Sequence, residues 1–269
     1  MPSPGLAYWH HGNEGKPVVF LHGLMRNRDC FAPLFPALAG GARRRVYSVD
    51  QAGHGESPRL GSYRVMDHLP GLVEFLRSHV DGPAVLYGHS MGAMLAAALG
   101  AAHPELARAV IMEDPPFHTM GRRLAGTPLE SYFRAIQPRV GTGIPWRELA
   151  AVRIGEQTLG QMREASQVRF MARCIAHVDP RVIEPVLGGA WLDGYEPEEI
   201  CGALQCPALL LQSDPAAGGM LTDEDAAMAE RRAGDLTLSR LPAGTGHQAH
   251  WQDTAAVTRH LLAFLESLE

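Results

Sequence analysis

The stretch Leu86-Tyr87-Gly88-His89-Ser90-Met91-Gly92 sets one serine between two glycines, where an apolar run (residues 84–87) gives way to an alanine-rich helical pattern (residues 91–102). A strand, a turn with small residues on both sides of its serine, and a helix starting at once behind it form a strand–turn–helix unit. Units of that kind build a mostly parallel sheet with crossover helices. A plain surface loop has no need of glycine at both places.

The same alternation recurs along the chain. A buried strand is expected at residues 17–21, and further strands at 45–49, 84–87, 109–112, 208–211 and 236–241. Helical patterns fall at residues 31–38, 66–79, 91–102, 223–232 and 254–268. Between residues 115 and 207 no valine- or isoleucine-rich strand occurs, while 146–152 and 159–177 read as helices. The expected organisation is α/β: a core from residues 1–114 and 208–269, and a helical cap from 115–207 over the C-terminal sheet edge. The length of 269 residues suits one large domain with such an insertion.

Charge excludes some functions. The net charge is -5 and the densest basic cluster is Arg43-Arg44-Arg45, so nucleic-acid binding is not expected. The N-terminal stretch has no charged-then-apolar signal pattern, and no apolar run reaches membrane-spanning length. Cys30, Cys174, Cys201 and Cys206 are scattered without a C-x-x-C pair, which reads as buried thiols of a cytoplasmic protein. The thirteen histidines include no H-x-x-x-H on a convincing helix, so no metal and no cofactor are expected.

The chemistry centres on Ser90. In a G-x-S-x-G turn the serine hydroxyl stands exposed at the sheet top, and the helix N-terminus points its dipole at developing negative charge. His89 is its neighbour on a tight turn, where adjacent side chains point apart, and reads as supporting. An oxyanion needs donors. His22-Gly23-Leu24 follows an apolar strand, so the amides of Leu24 and Met91 are the expected pair, with His22 structural. The base should follow the last strand, where Gly246-His247-Gln248-Ala249-His250 offers two histidines; His247, directly after the glycine turn, is preferred.

With these residues in place the chain resembles the α/β-hydrolase superfamily over nearly its whole length. Asp50-Gln51-Ala52-Gly53-His54-Gly55-Glu56-Ser57 resembles that superfamily's D-x-x-G-x-G-x-S turn, which implies structural roles for its residues, His54 included. Most members carry the triad acid shortly after the strand that here ends near Leu211, and Asp214 is the only carboxylate near that turn, about two residues early. One branch carries it after the strand at 109–112: a group of haloalkane dehalogenases, the coelenterazine-type luciferases and the zearalenone lactonases. Met112-Glu113 resembles that branch's acid motif, so Glu113 is the preferred acid and Asp214 the alternative, with Asp114 capping the next turn. Asp223 and Asp225 come too late and suit a helix N-terminus. Ser90 itself argues against dehalogenase and epoxide-hydrolase chemistry, which in this fold uses an aspartate nucleophile.

The expected activity is therefore hydrolysis of ester, lactone or thioester bonds in a small, apolar substrate through an acyl-enzyme on Ser90. Phe117, Met120, Trp146 and Trp191 are the expected lining of the cap. Carbon–carbon bond hydrolysis or cofactor-free perhydrolysis could run on the same residues, and a ligand receptor with little turnover is the rival from another class. Substrate identity and oligomeric state are open.

Overall fold

A computed structural model describes residues 5–39, 44–121 and 123–269. Arg43 of the basic cluster and the first four N-terminal residues lie outside them. Seven strands form one sheet in the order β1-β3-β2-β4-β5-β8-β9. They are β1 (Tyr8–His11), β2 (Lys16–Leu21), β3 (Arg44–Val49), β4 (Ala84–His89), β5 (Ala107–Glu113), β8 (Ala208–Gln212) and β9 (Leu236–Arg240). All neighbours run parallel except β1, which pairs antiparallel with β3. β4 is buried along its whole length and β2 and β5 nearly so, because helices cover both faces and both faces must be apolar. β1 was not expected from the sequence: Tyr-Trp-His-His carries neither an apolar run nor a polar alternation.

The period of two along a strand assigns each residue to a face. On β5, Val110 and Met112 join one buried cluster, which continues into the 115–207 segment through Phe117, Ile136, Ile175 and Trp191. Ala109 and Ile111 join the cluster on the opposite face, with Phe31, Tyr87 and Leu261. This alternation decides which carboxylate reaches the site.

The crossover helices are α1 (Phe35–Ala39), α2 (Leu69–His79), α3 (Met91–Ala102), α10 (Asp223–Arg232) and α12 (Thr254–Ser267). The segment between β5 and β8 holds α4 (Pro128–Ile136), α5 (Trp146–Ala150), α6 (Leu159–Met162), α7 (Ala165–Ile175), α8 (Glu184–Gly188) and α9 (Pro197–Gly202). It also holds a short antiparallel ribbon, β6 (Arg153–Ile154) with β7 (Gln157–Thr158). A last short helix, α11 (Ala249–Gln252), precedes α12. Residues 115–207 have no separate core among the described residues, since their buried side chains and one face of the sheet form a single cluster. Among the described residues no helix is long and apolar enough to cross a membrane.

Candidate active site

β4 delivers Ser90 one residue past its end, with φ 56° and ψ -120°, in a region L-residues seldom occupy. Two glycines make the turn possible. A Cβ on Gly88 would lie 2.0 Å from the Gly92 carbonyl oxygen, and one on Gly92 would lie 1.8 Å from that of Leu21. The Ser90 amide donates to the Glu113 carbonyl at 2.9 Å, tying the turn to β5. A strained serine held this way costs on the order of 1–3 kcal/mol, and such strain clusters at functional sites.

His247 stands in the loop after β9. Its Nε2 lies 3.0 Å from Ser90 Oγ, and its Nδ1–H donates to Asp114 Oδ2 at 2.6 Å. The carboxylate behind His247 is thus Asp114, not the expected Glu113 and not Asp214. The reason is geometric. His89 is register partner to Glu113, so Ser90 and Asp114 are the next residues past two adjacent strand ends. Asp114 takes φ 47°, a left-handed conformation that aspartate tolerates. The fully buried carboxylate accepts from the amides of Ser213 (3.3 Å), Leu221 (3.1 Å) and Met220 (2.8 Å) besides His247. Both oxygens are therefore satisfied, as a buried charge requires.

Glu113 is still in the strand and follows Ala109 and Ile111 onto the opposite face. There Oε2 accepts from Tyr87 Oη at 2.6 Å, and Oε1 accepts from the His250 amide (3.0 Å) and from His250 Nδ1–H (2.7 Å). His250 Nε2 lies 3.2 Å from Cys30 Sγ. Burial works against charge on His250, but Glu113 and Cys30 together outweigh it and raise the imidazole to about 10. His89, Glu113 and His250 offer donor atoms within 4.8 Å of one another, and Glu113 and His250 meet as an ion pair.

Asp214 braces the base loop without touching His247. Its Oδ2 accepts from the Gly244 amide and its Oδ1 from that of Ala216, each at 2.8 Å, and its own amide donates to Thr245. The amides of Gly244 and Ala216 hold its carboxyl below the ordinary value. Asp214→Asn is expected to lower Tm while leaving turnover little changed. Because the folded value is depressed, this contribution is present above the ordinary carboxylate value near pH 4 and is lost as pH falls through the lowered one. The Tm gap between the two proteins should therefore close in acid; a gap constant from pH 6 to 2 contradicts the assignment.

Three other histidines are neutral struts. His22 donates from Nδ1 to the Gly23 carbonyl (2.8 Å) and accepts the Gln51 amide at Nε2 (2.9 Å). His54 donates to the Ala52 carbonyl (3.0 Å) and accepts the Met25 amide (3.1 Å). Burial pushes both down to about 3. Burial, then the neighbouring His247 and His250, likewise hold His89 well below the ordinary value, and its Nε2–H donates to the His247 carbonyl at 2.7 Å. The Gly23 turn lies against Ser90, since a Cβ there would be 3.0 Å from Ser90 Cβ. His54 occupies the Met25 amide and the Gly23 carbonyl occupies that of Arg26. Among the described residues the Leu24 and Met91 amides meet no protein acceptor.

Ser90 and His247 open into a cavity of about 380 Å³ under residues 115–207. Met120, Leu129, Phe133, Met162 and Met220 give it apolar walls. Of the four expected lining residues, only Met120 reaches it. Phe117 and Trp191 are spent on the shared core, and Trp146 carries the guanidinium of Arg169 4.0 Å above its ring. Sequence reading missed Arg26 and Arg163, which also line the cavity. The glycine-turn context of Arg26 was the available signal; for Arg163 there was none.

Comparison with known proteins agrees with this fold. The alpha/beta hydrolase fold family model matches residues 16–148. The chain is 34% identical over 103 residues to 2-(acetamidomethylene)succinate hydrolase of Mesorhizobium japonicum, covering 38% of this chain and 36% of that protein. It therefore aligns with only about a third of that relative's length. It is 27% identical over 202 residues to pimeloyl-[acyl-carrier protein] methyl ester esterase of Chromobacterium violaceum, covering 73% and 74%. The crystal structure of E-2-(acetamidomethylene)succinate hydrolase superposes with TM-score 0.75 at 21% identity, covering 97% of this chain and 95% of that one. The chain is a member of the α/β-hydrolase superfamily.

Proposed function

We propose that the protein is a serine hydrolase that cleaves an ester, lactone or thioester bond in a small substrate through an acyl-enzyme on Ser90. The observation that carries this reading is the unbroken chain Ser90 Oγ, His247, Asp114, with contacts of 3.0 and 2.6 Å, at the floor of an apolar cavity. Asp114 fixes the proton on Nδ1, so Nε2 is free to accept one. As Oγ bonds to the carbonyl carbon, its proton passes to Nε2. The oxyanion accepts from the Leu24 and Met91 amides. His247 then protonates the leaving oxygen or sulfur as that bond breaks. Water enters, gives a proton to Nε2 and attacks the acyl carbon, and the Oγ–carbon bond breaks as the proton returns to Ser90.

A fluorophosphonate is expected to label the protein once per chain, on the peptide that contains Ser90, and Ser90→Ala is expected to abolish labelling while the fold is kept. Labelling that survives the substitution, or an unlabelled wild-type protein, removes the reading and favours a receptor. Asp114→Asn should slow labelling as well, because a hydroxyl without its base is a poor nucleophile.

A further inference from the structure

The cavity wall has an electrostatic imbalance that the triad does not use. Its lining includes two arginines, Arg26 and Arg163, and no Asp or Glu. Among the described residues neither arginine meets a carboxylate. Arg26 is buried and held only by neutral acceptors. Its Nη1 donates to the Met25 carbonyl at 3.2 Å, and Gln248 Oε1, with the amide oriented to suit, accepts from Nε at 3.2 Å and from Nη2. Arg163 has a buried Nε with no hydrogen-bond partner. Its nearest compensation is the Tyr132 ring, 5.8 Å from the guanidinium carbon, at the outer limit of a useful cation–π contact. Burial holds Arg163 below its ordinary value, and the charge of Arg26 adds to that effect.

Two like charges in one small apolar cavity destabilise the empty protein, since each loses water and each repels the other. The buried carboxylates of the site, by contrast, are fully partnered: Glu113 meets His250, and Asp114 accepts from His247 Nδ1–H and from three backbone amides. We propose that the substrate carries an ionised carboxylate besides its scissile carbonyl, and that Arg26 and Arg163 bind it. This rests on the hydrolase reading and narrows its substrate class to anionic esters or their lactone and thioester equivalents. A guanidinium matches a carboxylate with two parallel hydrogen bonds, so the pair orients as well as attracts. The apolar walls then take the chain that joins the two carbonyl groups. Arg26 lies two residues from Leu24, so the anion it binds is registered against the oxyanion donors.

The test uses two methyl esters of one chain length, monomethyl adipate and methyl hexanoate. The wild-type protein is expected to favour the anionic ester in kcat/KM by about ten- to hundredfold, the range of one or two charged hydrogen bonds. Arg163→Met should cut that preference at least about tenfold, and Arg163→Lys should restore part of it, because it keeps charge but not the planar fork. Calorimetry on Ser90→Ala protein reads binding without turnover, and there monomethyl adipate should bind while methyl hexanoate binds more weakly. Hydrolysis of both esters with no anion preference, or a preference untouched by Arg163→Met, overturns the carboxylate site and leaves the hydrolase reading standing. Arginine-dependent binding of monomethyl adipate by a protein that never hydrolyses it does the reverse. If neither ester binds or turns over, the carboxylate site falls.

Discussion

Asp114→Asn is expected to lower kcat by up to about four orders of magnitude in a protein that still folds. Asparagine can keep its carbonyl oxygen toward the Ser213 and Leu221 amides, which Oδ1 serves now. Its NH2 then occupies the place of Oδ2, facing the Met220 amide and His247 Nδ1. Two donors now confront two donors. His247 relieves this by moving its proton to Nε2, and in that tautomer it cannot accept the proton of Ser90. The burst of acyl-enzyme formation should disappear, whereas the circular dichroism spectrum stays. Stability should fall modestly, since one buried amide contact becomes repulsive. Should Asp114→Asn retain its burst while Glu113→Gln loses it, the acid would be Glu113.

The one-residue difference between those carboxylates shows where sequence reading stops. The strand patterns at 17–21, 45–49, 84–87, 109–112, 208–211 and 236–241 each fall on an observed strand; those buried on both faces, such as 84–87 and 208–211, are continuous apolar runs, whereas the edge strand β9 alternates leucine with polar residues. The helix at 91–102 matches to the residue, since Gly92 must lie in its first turn and His103 ends its apolar face. β1 and the short helices α8 and α9 were not legible, because tertiary packing more than local pattern makes them extended or helical, whereas α4 had a local signal in the Thr127 cap followed by Pro128 and Glu130. The acid was within reach. Counting by twos from Val110 sends Glu113 to the face of Ala109, away from the sheet end. Aspartate is also the better residue for φ above zero. The resemblance to an acid motif at Met112-Glu113 outweighed that count, although the count was the physical argument.

The cavity was less legible still. Residues that reach it come from the turn after β2, from α4, from the loop after α6 and from the turn after β8, and no local pattern relates them. Large aromatic residues of the 115–207 segment drew the expectation of a lining, yet a residue such as Trp191, only 1% exposed, is more useful as core. Excising the segment would remove much of a cluster it shares with α2, α3 and one face of the sheet, so specificity and stability are inseparable there.

Glu113→Ala is expected to reverse the effects of Asp114→Asn: a large loss of stability, with a much smaller loss of turnover in the folded fraction. Glu113 is fully buried and meets Tyr87 and His250 with three hydrogen bonds. Removing one partner of such a pair costs about 3–5 kcal/mol, because the other is left uncompensated. For a chain of this size that is a fall in Tm of roughly 6–15 °C. Glu113→Gln should cost less. Its carbonyl can still accept from both His250 donors, and His250 can shed its proton once the negative charge is gone. The two variants are separated by pH. In the wild-type protein His250 is raised to about 10, so its contribution is complete below about pH 6.5, the ordinary histidine value, and is lost as pH rises through 10. Wild-type stability should thus decline between pH 8 and 10 by more than that of Glu113→Gln. Parallel Tm curves for the two proteins across that interval would mean that His250 is neutral in the fold and that Glu113 acts there through hydrogen bonds alone.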